Sequence, residues 1–142
     1  MKYFVIALIS AVFLFQIGFC RAGNPSKKCR EDYRAKKLDE SCILHCEYRA
    51  YGFSNDKYDI KKKQIDKFVE VLINAKVVDS SDRTKLDNLL RKCANQARSK
   101  HSNKLNCYTT IDYYRCVVND ESLINYRKFV GAIMAYDKTI NI

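Results

Sequence analysis

Cys42-Ile43-Leu44-His45-Cys46 decides how this chain folds, because two thiols four residues apart on a helix leave from one face and can tie that helix to two other segments. Asp39 or Ser41 starts the helix, and Gly52 suits the left-handed cap that ends it. Upstream, Asn24 can cap and Pro25 fits the first turn of a helix running to about Leu38, with Cys29 and Tyr33 on its inner side. That helix carries Lys27, Lys28, Arg30, Arg34, Lys36 and Lys37 against only Glu31 and Asp32.

Residues 1–22 read as a secretory signal. Lys2 supplies the positive start, Tyr3 to Phe15 is nearly continuously apolar, and small residues precede a cleavage placed after Ala22. The run is short for a membrane anchor, and no second apolar segment follows, so no membrane span is expected. Residues 23–142 are then one domain. The whole chain has 26 Lys and Arg against 16 Asp and Glu, a formal +10. Removing Lys2 and Arg21 leaves about +8, an excess that favours anionic partners.

Downstream, Ile65, Phe68, Val69 and Leu72 repeat at helical spacing between Ile60 and Val77, with Lys63, Asp66, Lys67 and Glu70 opposite. Asp79-Ser80-Ser81 is a capping cluster, after which Leu86, Leu89, Leu90, Cys93 and Ala97 form one stripe. A further helix spans about Lys104 to Val118 and holds Cys107 and Cys116. The last runs from about Ser122 to Tyr136, with Leu123, Tyr126, Val130, Ile133 and Met134 on one side and a loose tail from Asp137 to Ile142. Strand-like alternation persists nowhere, so the expected class is all-α, five or six helices stapled by disulfides.

The seven cysteines become six when Cys20 leaves with the signal, an even number suited to three disulfides in an oxidising compartment. Six cysteines allow fifteen pairings. Cys107 and Cys116 on one helix stand roughly 13 Å apart, too far to bond, and Cys42 and Cys46 are held parallel by theirs. Ten arrangements remain.

The Cys42-x-x-x-Cys46 and Cys107-x8-Cys116 intervals, in a small secreted helical chain, resemble the insect odorant-binding protein fold. The basic mature chain, the short Cys29 to Cys42 interval and the abundant tyrosines resemble, more closely, the small odorant-binding-like salivary proteins of blood-feeding sand flies. The resemblance implies the pairs Cys29–Cys46, Cys42–Cys107 and Cys93–Cys116. It also implies a monomeric salivary protein that binds anionic polymers and surfaces and so blocks contact-pathway activation of clotting. The twelve residues between Cys29 and Cys42 are fewer than in typical odorant carriers, so part of the N-terminal wall of a ligand pocket is expected to be missing.

Three basic clusters are candidate polyanion sites for sulfated polysaccharides or polyphosphate. The first is Lys27, Lys28, Arg30, Arg34, Lys36 and Lys37. The second is Lys57, Lys61, Lys62 and Lys63, and the third Arg91, Lys92, Arg98, Lys100 and Lys104. The bland reading is solubilising charge, partly neutralised by neighbours such as Asp66. No base-reading motif points to specific nucleic acid. The alternative function is a carrier of small hydrophobic or amine ligands in a space lined by residues such as Phe68, Leu72, Leu90, Ile111, Val130 and Met134, which a packed core explains equally. Catalysis is not expected: His45 lies between disulfide cysteines and His101 has no evident orienting partner. Oxidised cysteines cannot ligate zinc as thiolates, so neither metal nor cofactor is expected.

Overall fold

The computed structural model describes residues 23–142. The signal segment and its cleavage point lie outside them. Among the described residues there are six α-helices and no strand: α1 (Pro25–Arg34), α2 (Ile43–Tyr51), α3 (Lys62–Asn74), α4 (Arg83–Lys100), α5 (Cys107–Val118) and α6 (Tyr126–Asp137). Short 3-10 turns, Glu40–Cys42 and Ser80–Asp82, lead into α2 and α4.

Local chemistry sets each boundary. α1 stops at Arg34, four residues before the expected Leu38, because Lys36 takes a left-handed φ of 56°. Lys36 N–H then donates to Tyr33 and Lys37 N–H to Asp32, the paired bonds of a Schellman ending. The same motif closes α2 through Gly52, with φ 80°, and α3 through Lys76, with φ 55°. α5 begins at Cys107 and not Lys104, since the Asn106 side chain accepts from Tyr108 N–H while Thr109 Oγ1 accepts from Asn106 N–H. α6 begins at Tyr126 and not Ser122. Asp120 holds Ser122 and Leu123 in a preceding turn, and Asn125 caps the helix by accepting from Lys128 N–H.

The disulfides join Cys29 to Cys46, Cys42 to Cys107 and Cys93 to Cys116, with Cα separations of 5.9, 4.9 and 5.5 Å. α2 is thereby bound to α1 on one side and to the start of α5 on the other, while α4 and α5 share the third bond. α1 packs on α2, α2 on α5, α5 on α4, α4 on α3, and α3 on α6.

The core centres on Phe68, which is fully buried. Phe53 stacks on it at 4.1 Å, and Tyr48, Tyr113 and Phe129 surround it at 5.8 to 6.1 Å. Such a cluster adds tilted ring contacts to the burial of large apolar area. Leu72, Leu86 and Leu90 are likewise fully buried. Ile65, Phe68, Val69 and Leu72 face inward as their spacing predicts, and so does the Leu86 to Ala97 stripe.

Three expectations need correction. Tyr33 is not inward but 40% exposed, one residue before α1 ends. On α6 the inward positions are Phe129, Ala132 and Asp137, while Tyr126 and Met134 are 56% and 58% exposed. Leu123, Val130 and Ile133 of the expected stripe do pack against the core, half-buried. Nor is the tail loose at its root: Asp137 is buried, Ile140 packs against the core, and Ile142 N–H donates to the Gly23 carbonyl at 3.0 Å.

Candidate functional site

Two features could carry function: the basic surface and a groove. The sequence singles out fifteen basic residues, and the structure divides them by whether an acid already holds them. Lys27 meets Glu31 at 3.9 Å, Lys28 meets Asp32 at 2.6 Å, and Arg30 meets Glu47 at 3.8 Å. Lys61 and Arg98 both approach Asp59, at 3.8 and 3.6 Å. Lys62 pairs with Asp66 at 2.6 Å, Arg91 with Asp87 at 2.5 Å, and Lys100 with Asp112 at 3.0 Å. The remaining seven, Arg34, Lys36, Lys37, Lys57, Lys63, Lys92 and Lys104, are exposed and make no ion pair among the described residues.

Three of the seven are placed by a helix ending. Arg34, Lys36 and Lys37 crowd the Schellman turn at the C-terminus of α1, where the helix dipole also favours positive charge. Lys92 precedes Cys93 on α4 and Arg115 precedes Cys116 on α5, so each lies one residue from an end of the bond that joins the two helices. Arg115 is exposed and unpaired too, yet linear clustering misses it because its neighbours in the sequence are Tyr114 and Cys116. The disulfide spacing was the signal that could have found it. Arg127 and Lys128 on α6, and Lys138 just beyond it, are also exposed and were not among the expected sites.

Asp112 also accepts from His101 Nε2 at 2.7 Å, so His101 has a partner that the sequence did not suggest. The pair ties the end of α4 to α5, and the Lys100 and His101 bonds hold the Asp112 carboxyl below its ordinary range despite partial burial. His45 is buried, its Nδ1 within 3.2 Å of Thr110 Oγ1 and 3.3 Å of Ser54 Oγ, its ring 4.2 Å from Tyr58. Burial lowers its pKa to about 4, so it is a neutral packing group at ordinary pH.

The groove, about 590 Å³, opens between α1, α2, α5 and α6. Of the residues expected to line a pocket, only Val130 and Met134 do so; Phe68, Leu72 and Leu90 are packed in the core, and Ile111 lies elsewhere. The wall consists instead of Leu44, Tyr48, Tyr51, Tyr114, Tyr126, Phe129, Val130, Ile133 and Met134, with Glu47 and Asp137 at polar positions and Lys27, Arg30 and Lys138 at the rim. Asp137 accepts from Ser26 N–H at 2.8 Å, Ser26 Oγ at 2.8 Å, Tyr51 Oη at 2.8 Å and the Asn24 amide. Those donors hold its carboxyl below the usual range against the opposing effect of burial. Burial instead pushes the Glu47 carboxyl up, with Arg30 opposing.

The sequence that builds this three-disulfide helical frame has counterparts among known proteins. The model of the PBP/GOBP family matches residues 22–120. The chain belongs to the PBP/GOBP family. Members are binding and carrier proteins, and a groove between the helices suits such a role. Within the family the chain is similar to sand-fly salivary proteins. It is 46% identical over 145 residues to salivary protein 15a of Phlebotomus duboscqi, and 44% identical over 145 residues to salivary protein 15b of the same species, both comparisons covering all of each chain. It is 40% identical over 138 residues to ayaconin of Lutzomyia ayacuchensis, covering 97% of this chain and 92% of that one. The PBP/GOBP frame therefore comes here in its odorant-binding-like salivary form. No helix among the described residues is long and apolar enough to cross a membrane.

Proposed function

We propose that this is a secreted salivary protein that binds anionic polymers and surfaces by charge, and so inhibits contact-pathway activation of blood coagulation. The observation that carries the reading is a surplus of exposed cations left over after local ion pairing: Arg34, Lys36 and Lys37 at the end of α1, Lys92 on α4, Lys104 in the connection that follows, and Arg115 on α5. Clustered Lys and Arg concentrate a sulfated or phosphorylated chain and release its counterions on binding. Arg34 and Arg115 can grip sulfate or phosphate with a planar fork. A monomer covering such a surface denies it to clotting zymogens that activate one another there.

The test is calorimetric titration of oxidised residues 23–142 with a sulfated polysaccharide across a salt series, beside a neutral polysaccharide of similar size. Submicromolar binding to the sulfated chain alone, weakening steeply with salt, is expected. Charge reversal of Lys92, Lys104 and Arg115 should weaken it by at least tenfold with helicity unchanged. Reversing Arg91, Arg98 and Lys100 is a poorer probe, since each would set two carboxylates against each other and disturb the fold. Binding that ignores salt would sink the electrostatic reading.

A second reading, carriage of a small hydrophobic or amine ligand, is favoured by the groove itself, whose volume falls in the range of about 300–1,000 Å³ usual for small-molecule sites. It requires no change to the basic surface, and the two can coexist on one molecule.

A further inference from the structure

Burying a hydrogen-bonding atom without a partner costs free energy, so natural folds rarely leave one. Among the described residues, three such side-chain atoms remain: Glu47 Oε1, Tyr48 Oη and Tyr113 Oη. Glu47 and Tyr48 are consecutive on α2, and both line the groove. Glu47 has one cation nearby, Arg30, whose Nε stops 3.8 Å from Oε1, too far for a hydrogen bond. The Arg30 side chain is 65% exposed, so water competes for it. The other groove carboxylate, Asp137, is fully engaged by Ser26, Tyr51 and Asn24, and adds negative potential without offering a free acceptor.

We propose that the groove takes a small molecule with an aromatic body and a protonated amine head, the ammonium donating to Glu47 Oε1. The proposal rests on the carrier reading, decides between the hydrophobic and amine ligands it allows, and names the residue that takes the head group. An ammonium brings three donors and a charge opposite to Glu47, which suits a buried acceptor that the nearest cation, Arg30, stands too far away to bond. Tyr114 and Tyr126, their hydroxyls 3.5 Å apart, supply ring surface over which an aromatic body or a cation gains further. An anionic head is the main rival, because Lys27, Arg30 and Lys138 stand at the rim. It would find those charges only at the mouth, and would meet Glu47 and Asp137 on going deeper.

Three isosteric probes separate these possibilities: 2-phenylethylamine, 2-phenylethanol and phenylacetate, each titrated calorimetrically into the oxidised protein. The amine should bind at least tenfold tighter than the alcohol, and phenylacetate weakest. Glu47→Gln should erase the preference for amine over alcohol while polyanion affinity and melting temperature stay as they were. Arg30→Ala should raise amine affinity several-fold, since it removes the one cation near Glu47 among the described residues; this variant and the wild-type probe series decide the matter even if Glu47→Gln fails to fold. Equal binding of amine and alcohol, or tighter binding of phenylacetate, overturns the head-group assignment while the carrier reading stands. Binding of none of the three overturns both.

Discussion

At His45, burial and covalent neighbourhood act on one imidazole. Its neighbour Cys46 is fixed to α1, its ring lies against Tyr58, and two hydroxyls share its Nδ1. Because burial holds its pKa near 4, below the unfolded value of 6.5, the unfolded chain binds the extra proton between those values. Stability therefore falls as pH drops from 6.5 to about 4, by on the order of 2 kcal/mol. Thermal melts of wild type and His45→Gln across that window should converge toward low pH; parallel curves would remove His45 as the cause. Comparing the two proteins at each pH cancels Glu47, whose raised pKa acts with the opposite sign. Asp137 works the other way from His45. Its folded pKa lies below the ordinary 3.8, so its contribution is complete above that value and is lost as pH falls through the folded pKa. Asp137→Ala strands Ser26 N–H and Tyr51 Oη and should cost about 2–4 kcal/mol at neutral pH, a deficit in urea melts that closes only in acid.

Among the elements, three helices end in the same left-handed turn, and only one uses glycine. Lys36 and Lys76 occupy a conformation that costs a side-chain-bearing residue about 1–2 kcal/mol. Lys76→Gly should therefore raise stability by about 1 kcal/mol, seen as an increase in melting temperature of several degrees. Gly52→Ala should do the reverse: an added Cβ meets Lys67 Cγ at an ordinary 3.6 Å, so backbone strain alone is lost or gained there. An absence of opposite shifts would mean that neighbouring contacts, and not the left-handed backbone, set these ends. Helices α3, α4 and α6 were legible in the sequence through apolar positions at helical spacing, whereas α1, with only Pro25 and Cys29 buried, was legible through Asn24 and Pro25 at its start. Their ends were less so. A lysine gives no warning that it will adopt positive φ, and the caps at Asn106 and Asn125 compete with equally plausible polar residues three or four positions earlier.

For the molecule as a whole, the charge surplus could be counted in the sequence, but its distribution could not. Which lysines remain available depends on pairs such as Arg98 with Asp59 and Lys100 with Asp112, made by residues distant along the chain. The groove was hidden for a related reason. Its wall combines Glu47, Tyr114 and Met134, which share no motif and meet only when α2, α5 and α6 pack. The disulfides can be ranked on the same molecular scale. The bond closing the longest interval, Cys42–Cys107 with 65 residues, is worth about 4.3 kcal/mol in the chain-entropy model, against about 3.1 for the 17 of Cys29–Cys46. Paired serine substitution at Cys42 and Cys107 should thus lower stability most, measured by denaturant melts beside the other two serine pairs.

The same three bonds also decide what happens under tension. If the oxidised chain is pulled from residues 23 and 142, force runs from 23 to Cys29, crosses to Cys46, returns to Cys42, crosses to Cys107 and continues to the end. The interval between Cys46 and Cys107, with all of α3 and α4, hangs outside that path as a slack loop. It can melt or be nicked between 47 and 92 without severing the molecule, so stretching would first open the Gly23–Ile142 contact and the Asp137 clasp, while less than half of the described chain is able to lengthen.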